Sequence, residues 1–165
     1  MLERFDKQYS VNEVLDFVRT NVDTRDRKKR VEFDGHMMKP HSVRYLTFIN
    51  TGTKCISCEH DGIVFYKERT MPSDNPNPKT PYHFNLYSMG EGGTEVLMTK
   101  DHIIPKSQGG SDGVLNMTTM CTLCNIDKGA VSPKTWGEDH NVDMGKGVKN
   151  DTIKPYKRKK KKKKL

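Results

Sequence analysis

A short stretch in the second half of this sequence gathers residue types suited to chemistry. Asp101-His102-Ile103-Ile104-Pro105 puts a carboxylate beside an imidazole. Gly109-Gly110, Asn116, Cys121-Thr122-Leu123-Cys124-Asn125 and Lys128-Gly129 follow. Hydrolysis of a phosphodiester needs a water to lose a proton, which suits a histidine near neutral pH. It also needs the phosphate charge neutralised, which suits a hard cation such as Mg²⁺. Mg²⁺ takes oxygen ligands and keeps several waters, so a carboxylate from Asp101 and an amide oxygen from Asn125 are enough protein ligands for one ion. His102 is the candidate general base. The Asn116 amide is placed to orient the loop or the imidazole; bracing of the turn by side-chain-to-backbone bonds is the plainer alternative. Asn125 also suits a helix cap. Lys128, one turn beyond Asn125, is placed to meet a phosphate oxygen, although a solvated helix lysine is equally ordinary.

The four cysteines, Cys55, Cys58, Cys121 and Cys124, form two C-x-x-C pairs. Paired knuckles in a chain without an export signal read as ligands of one tetrahedral Zn²⁺ rather than as disulfides or redox motifs. Because Asn125 directly follows Cys124, a zinc that fixes the cysteine also fixes the start of the helix carrying Asn125. The other histidines, His36, His41, His60, His83 and His140, have no convincing partner, and His60 is only a weak competitor for the zinc.

These residues need elements to hold them. Ser10 and Glu13 have capping-box spacing, and Val11, Val14, Leu15 and Val18 recur at helical intervals, so residues 10–18 are expected to form a helix. Basic residues cluster between Arg25 and Arg30. A hairpin is expected around Asp34-Gly35, a strand over Arg44–Ile49, and a second D-G turn at Asp61-Gly62 before a strand at Ile63–Tyr66. The prolines of residues 71–81 mark an exposed loop. Strands are expected over Tyr82–Tyr87 and Glu95–Thr99, with a turn at Gly90–Gly93 between them. The last of these strands leads into Asp101-His102, and a returning strand over Val114–Thr119 and a short helix complete a β-β-α unit. Neighbours on a strand face opposite ways, so Asp101 and His102 serve one site only if the strand ends or bends there. Met98, Met117 and Met120 read as core filler, and Trp136 as a cover for part of that core.

Apolar residues are 33% of the chain and charged residues 30%, which implies a small core helped by a staple. No apolar run approaches the ~20 residues that span a bilayer, and residues 1–6 lack the apolar stretch of a secretory signal; a soluble, cytoplasmic protein is expected. The net charge of +8 belongs to the tail, because the residues from Lys154 onward are nine basic and no acidic, leaving about −1 for residues 1–153. Such a tail neutralises phosphates without reading sequence; nuclear import is its rival role.

The pattern D-H-I-I-P…G-G…N…C-x-x-C-N-x-x-K-G resembles the HNH (His-Me finger, ββα-metal) endonuclease family in its zinc-containing form with Asn in the last position. The resemblance covers roughly residues 43–130 and extends to small free-standing HNH proteins of tailed bacteriophages, which places the protein in the host cytoplasm if phage-encoded. It implies Asp101 and Asn125 as ligands of a catalytic Mg²⁺ or Mn²⁺, His102 as general base, Asn116 as the orienting residue, and Cys55, Cys58, Cys121 and Cys124 around a structural Zn²⁺. The implied substrate is DNA, most simply double-stranded; no membrane is involved. The expected fold is α+β. It comprises an N-terminal extension of helix plus short hairpin (1–42), a ββα-metal nuclease domain with its four-cysteine zinc site (43–135), and a linker with a disordered lysine-rich tail (136–165). The rival function is a non-catalytic zinc module that binds nucleic acid.

Overall fold

The computed structural model describes residues 1–129. Trp136, the linker and the lysine tail lie outside the described residues. The described chain is a mixed α/β structure. Its main sheet is antiparallel and five-stranded, in the order β1-β4-β5-β6-β7, with β1 Leu2–Ser10, β4 Val64–Thr70, β5 His83–Met89, β6 Glu95–His102 and β7 Met117–Cys121. A separate hairpin, β2 Val31–Phe33 and β3 His36–Met38, turns at Asp34-Gly35, both with positive φ. Three helices complete it: α1 Val11–Asn21, α2 Val43–Thr51 and α3 Thr122–Lys128. None of the described helices is long and apolar enough to cross a membrane.

α1 forms where the spacing predicts. Ser10 caps it by accepting the Glu13 N–H at 3.1 Å, and Val14, Leu15 and Val18 are buried on its inner face. The strand anticipated over Arg44–Ile49 is instead helix α2. Its β-branched and aromatic content misleads, but Tyr45, Phe48 and Ile49 recur at helical rather than alternating intervals, and burial of Tyr45 and Phe48 overrides local strand preference. The helix also completes the sheet. Phe84 of β5 receives the Arg44 guanidinium on its carbonyl at 2.9 Å and donates its N–H to the Tyr45 hydroxyl at 2.8 Å, because β5 pairs with β6 only over Tyr87–Met89. The two strands part before reaching the end that carries Asp101 and His102.

Residues 2–10, for which the sequence suggests no strand, supply β1, so the region read as an N-terminal extension contributes an edge to the same sheet. The turn after the first knuckle falls at Ile56–Cys58, with the positive φ taken by Glu59 rather than at Asp61-Gly62. Gly62 has another purpose, since a Cβ there would collide with the Leu86 side chain. The returning strand begins at Met117; Val114–Asn116 form a 3₁₀ turn. The core gathers Tyr9, Phe65, Phe84, Leu86, Met98 and Met120 with the buried faces of α1 and α2, and Met117 is also buried.

Two adjacent charged residues of β4 are wholly buried on opposite faces of the sheet. The Lys67 ammonium donates to the carbonyls of Phe33 and Asp34 at 3.2 and 2.8 Å and approaches His36 Nδ1 at 2.7 Å, tying the small hairpin to the sheet. Glu68 accepts from Asn85, from the Tyr87 hydroxyl at 2.8 Å and from Arg4 Nε at 2.6 Å. Burial alone pushes the Glu68 carboxyl up, but the bonds from Asn85, Tyr87 and Arg4 outweigh it and hold the group below its ordinary range. A carboxyl lowered on folding contributes stability that is complete above its unfolded pKa and is lost as pH falls through the folded value. Glu68→Gln is therefore expected to cost about 2–3 kcal/mol at neutral pH, somewhat below a fully buried pair because Arg4 is partly solvated. The deficit should shrink in acid. Denaturant melts of both proteins across the acidic range check this, and a deficit independent of pH would show that the charge is not what matters.

Candidate active site

Asp101 and His102 are the last two residues of β6, opposite Thr118 and Met117 of β7. The strand expected to stop at Thr99 runs on through both, and the chain turns only after His102. Strand alternation therefore holds. Asp101 faces α3, where Lys128 Nζ lies 2.8 Å from its Oδ2. His102 faces the following loop, where its Nε2 lies 2.9 Å from Asp112 Oδ1. The two side chains thus flank the end of one strand, one on the helix side and one on the loop side.

The Asp101 side chain is 13% exposed, and its Oδ2 is buried without a hydrogen bond; the Lys128 ammonium meets it at ion-pair distance but off the hydrogen-bonding direction. A buried carboxylate oxygen with a lone pair that no donor uses is suited to a cation, so the donor set fits a hard divalent ion. Asn125 lies three residues before Lys128 and so shares its helical face toward β6. A capping role for Asn125 does not hold, because Cys121 is the N-cap of α3, its Sγ accepting the Cys124 N–H at 3.4 Å. Lys128 is not the solvated helix lysine of the plainer alternative: its side chain is only 4% exposed and lies 2.8 Å from Asp101 Oδ2.

The loop after β6 is held by Asn116. Its Oδ1 accepts the Ile104 N–H at 2.9 Å, and its Nδ2 donates to the carbonyls of Ile104 and Ser111 at 3.0 and 2.8 Å, while its backbone carbonyl accepts the Ile103 N–H at 2.8 Å. Of the two roles open to Asn116, these bonds match the loop clamp; its side chain grips Ile104, two residues past His102, and Ser111, beside Asp112. Gly109 takes φ +84°, and at Gly110 a Cβ would overlap the Ile104 carbonyl oxygen, so glycine is required there by contact alone.

Asp112 is the residue that sequence reasoning missed. It sits in Ser111-Asp112-Gly113, whose composition signals only a turn, and nothing in its spacing ties it to His102. Hydrogen bonds from His102 and from Lys106 hold the Asp112 carboxyl below its ordinary range, and Lys106 Nζ lies 3.0 Å from its other oxygen. Facing a carboxylate, which only accepts, His102 Nε2 is the donor of this bond, and in the neutral imidazole the lone pair then falls on Nδ1.

The four cysteine Sγ atoms all lie within 4.8 Å of one another. Cys58 and Cys121 are 3.7 Å apart at sulfur, far beyond a ~2.05 Å S–S bond and near the roughly 3.8 Å edge of a tetrahedron with ~2.3 Å Zn–S bonds. His60 Nδ1 approaches Cys58 Sγ at 3.4 Å but stands outside the four-sulfur cluster. Burial pushes the Cys58 and Cys121 thiols up, while at Cys55 burial is outweighed by hydrogen bonds from the backbone of Cys121, Cys58 and Ser57, which bring the thiol down. Ionising Cys58 and Cys121 as well calls for a compensating cation. The first knuckle is already moored to β7, since the Ile56 N–H bonds the Thr119 carbonyl at 3.0 Å and Thr119 Oγ1 bonds the Gly52 carbonyl at 2.6 Å.

No curated protein and no solved structure matches the chain. Residues 91–140 do match the sequence model of a family described as HNH endonuclease. That span contains Asp101, His102, Asp112, Asn116, Asn125 and the second knuckle; the first knuckle lies upstream of it. The HNH part of the resemblance drawn from the residue pattern therefore stands for residues 91–140.

Proposed function

We propose that this protein is a metal-dependent DNA endonuclease in which His102 activates water and Asp101 and Asn125 hold a divalent cation, Mg²⁺ or Mn²⁺. The observation that carries this reading is the fixed imidazole: Asp112 accepts the hydrogen bond from His102 Nε2 at 2.9 Å, which leaves Nδ1 on the side of the ring away from Asp112. In the proposed step Nδ1 removes a proton from the attacking water, and the Asp112 carboxylate stabilises the imidazolium that results. The scissile phosphate lies past the end of β6, between the α3 side reached by Asp101 and the loop side reached by His102. The cation, when bound, supplies charge neutralisation for the phosphate and the departing oxygen. Asn116 acts through the loop as a positioning residue, keeping Asp112 opposite the imidazole. Lys128 balances the Asp101 charge from within the protein rather than touching substrate. The ββα-metal arrangement corresponds to β6, β7 and α3, with Zn²⁺ in the four-cysteine cluster fixing where α3 begins. Duplex DNA is the proposed substrate.

His102→Ala should lower cleavage of supercoiled plasmid in Mg²⁺ or Mn²⁺ by ~10²–10⁴-fold while zinc content stays the same; undiminished cleavage would remove His102 from the chemistry. Wild-type protein that binds plasmid but cuts it with neither metal would favour the rival binding module. Cys58→Ser is expected to lower bound zinc, measured by elemental analysis, and to lower the melting temperature, because a structural zinc contributes directly to folding. Retention of one tightly bound zinc would show that Cys58 is not a ligand. Gly110→Ala must displace the loop that positions Asp112, and a shift on the order of 1 Å can cost ~10²-fold in rate. Unchanged cleavage by this variant would mean that the loop does not set the imidazole.

A further inference from the structure

A second feature lies at the same end of the sheet as the candidate active site. The end of β4 and the start of β5 are neighbours there, since Glu68 pairs with His83, and β6, antiparallel to β5, runs toward the same end after the two strands part. Beside the β4 end, between the small hairpin and the proline-rich loop of residues 71–81, is a cleft of about 530 Å³. Ligand clefts are commonly ~300–1,000 Å³. Its lining includes Arg30, His36, Arg69, Lys79 and Tyr82 and no carboxylate.

The cleft is built rather than incidental. Arg69 makes two bonds to the Glu3 carboxylate, both at 3.0 Å, donates to the carbonyls of Pro78 and Thr80 at 2.7 and 3.2 Å, and lies 4.5 Å over the Tyr82 ring. Arg69 therefore fastens the proline loop as one wall, its charge balanced by Glu3. On the other wall the His36 and Tyr82 rings are 4.5 Å apart at their centroids. Lys67 has only protons to offer, so His36 Nδ1 accepts from it. Burial and the Lys67 charge hold the His36 pKa below its ordinary range. His36 is thus neutral, with its remaining N–H on Nε2. Arg30 and Lys79 are exposed at the cleft. The polar groups on offer are donors and cations, set beside an aromatic ring, Met37, Pro78 and Pro81. Cationic donors beside an aromatic face are the combination that tracks a single nucleic-acid strand.

We infer that this cleft binds one nucleotide unit of an unpaired strand running on from the duplex, its phosphate against Arg30, Lys79 and the His36 Nε2–H and its base or sugar against Tyr82. The inference rests on the nuclease reading and extends it to how the strand is held.

The test compares Arg30→Ala/Lys79→Ala with the parent, each in the His102→Ala background, for binding of a fluorescent single-stranded oligonucleotide across a salt series. The tail is common to both proteins, so the difference reports the cleft. Losing two phosphate contacts should weaken binding about tenfold and lower the log–log salt slope by about 1.4. Equal affinity and an equal slope overturn the proposal. A free deoxynucleoside monophosphate, titrated separately, is expected to bind far more weakly than the strand; comparable, cleft-dependent affinity would make this a free-nucleotide site and overturn the strand assignment. Hydrolysis of bis(p-nitrophenyl) phosphate, with His102 intact, reads the scissile position alone and should be unchanged by the cleft substitutions. If the wild type cuts neither this diester nor DNA while the cleft variant still loses affinity, the nuclease reading fails and the cleft stands as a binding site.

Discussion

The five residues Met117–Cys121 are buried along their whole length, and they join β6, the end of α2, the first knuckle and α3 in one register. Their pairing with β6 sets Asp101 opposite Thr118 and His102 opposite Met117. The Thr119 side chain bonds the end of α2 and its carbonyl bonds the first knuckle. Cys121 then serves both as a member of the sulfur cluster and as the N-cap of α3. A slip of one residue in this register would turn every side chain of the strand to the other face. It would separate the knuckles, turn Asp101 away from α3 and send His102 away from Asp112. The site is therefore specified by a backbone ladder before any ion is considered, and a cluster-bound zinc would stabilise a register that hydrogen bonds already select.

A chain with so few apolar residues places charge inside its sheet as well as outside it. Lys67 and Glu68 are neighbours on β4 yet belong to separate networks, one docking the β2–β3 hairpin and the other binding β1 through Arg4. Arg4 lies 3.8 Å over the Tyr66 ring and also meets Glu95 at 2.8 Å. Buried ion pairs seldom add net stability over apolar packing, but they penalise any arrangement that leaves a charge unmatched. Here they fix which strand sits at the edge and where the hairpin lies. The hairpin in turn forms a wall of the basic cleft.

The legible parts of the sequence were those with a local physical cause. Ser10 and Glu13 predict the cap of α1, Asp34-Gly35 predicts its hairpin, and the paired C-x-x-C knuckles predict a four-sulfur cluster from spacing alone. The failures have a common origin in tertiary context. Arg44–Ile49 carries strand-like residues, but its burial needs a helix that satisfies the Phe84 backbone. Residues 2–10 show no clear alternation because they form a mostly exposed edge strand whose register shifts between Arg4 and Gln8, and their partner β4 is more than fifty residues away. Asp112 meets His102 only because Asn116 folds the loop back, and Lys128 looks like a surface residue until α3 is laid against β6. Side chains whose role depends on a distant backbone carry no signature in their own neighbourhood.

Asp101 shows how far that coupling reaches. Its carboxylate is mostly removed from water, and an ionised group in that position requires an opposing charge. In this structure Lys128 supplies it, from the same helical face that carries Asn125. In the proposed nuclease the same oxygen must also serve a divalent ion, so the strength of the site reflects a balance between two cations rather than the number of ligands alone. A dipositive ion with its own waters offsets the carboxylate more strongly than an ammonium lying off the hydrogen-bond direction, but it must do so beside Lys128, whose positive charge opposes it. That opposition favours the ion most when an anionic phosphate is present to offset both positive charges. Tight retention of the cation and arrival of the substrate would then be one electrostatic event.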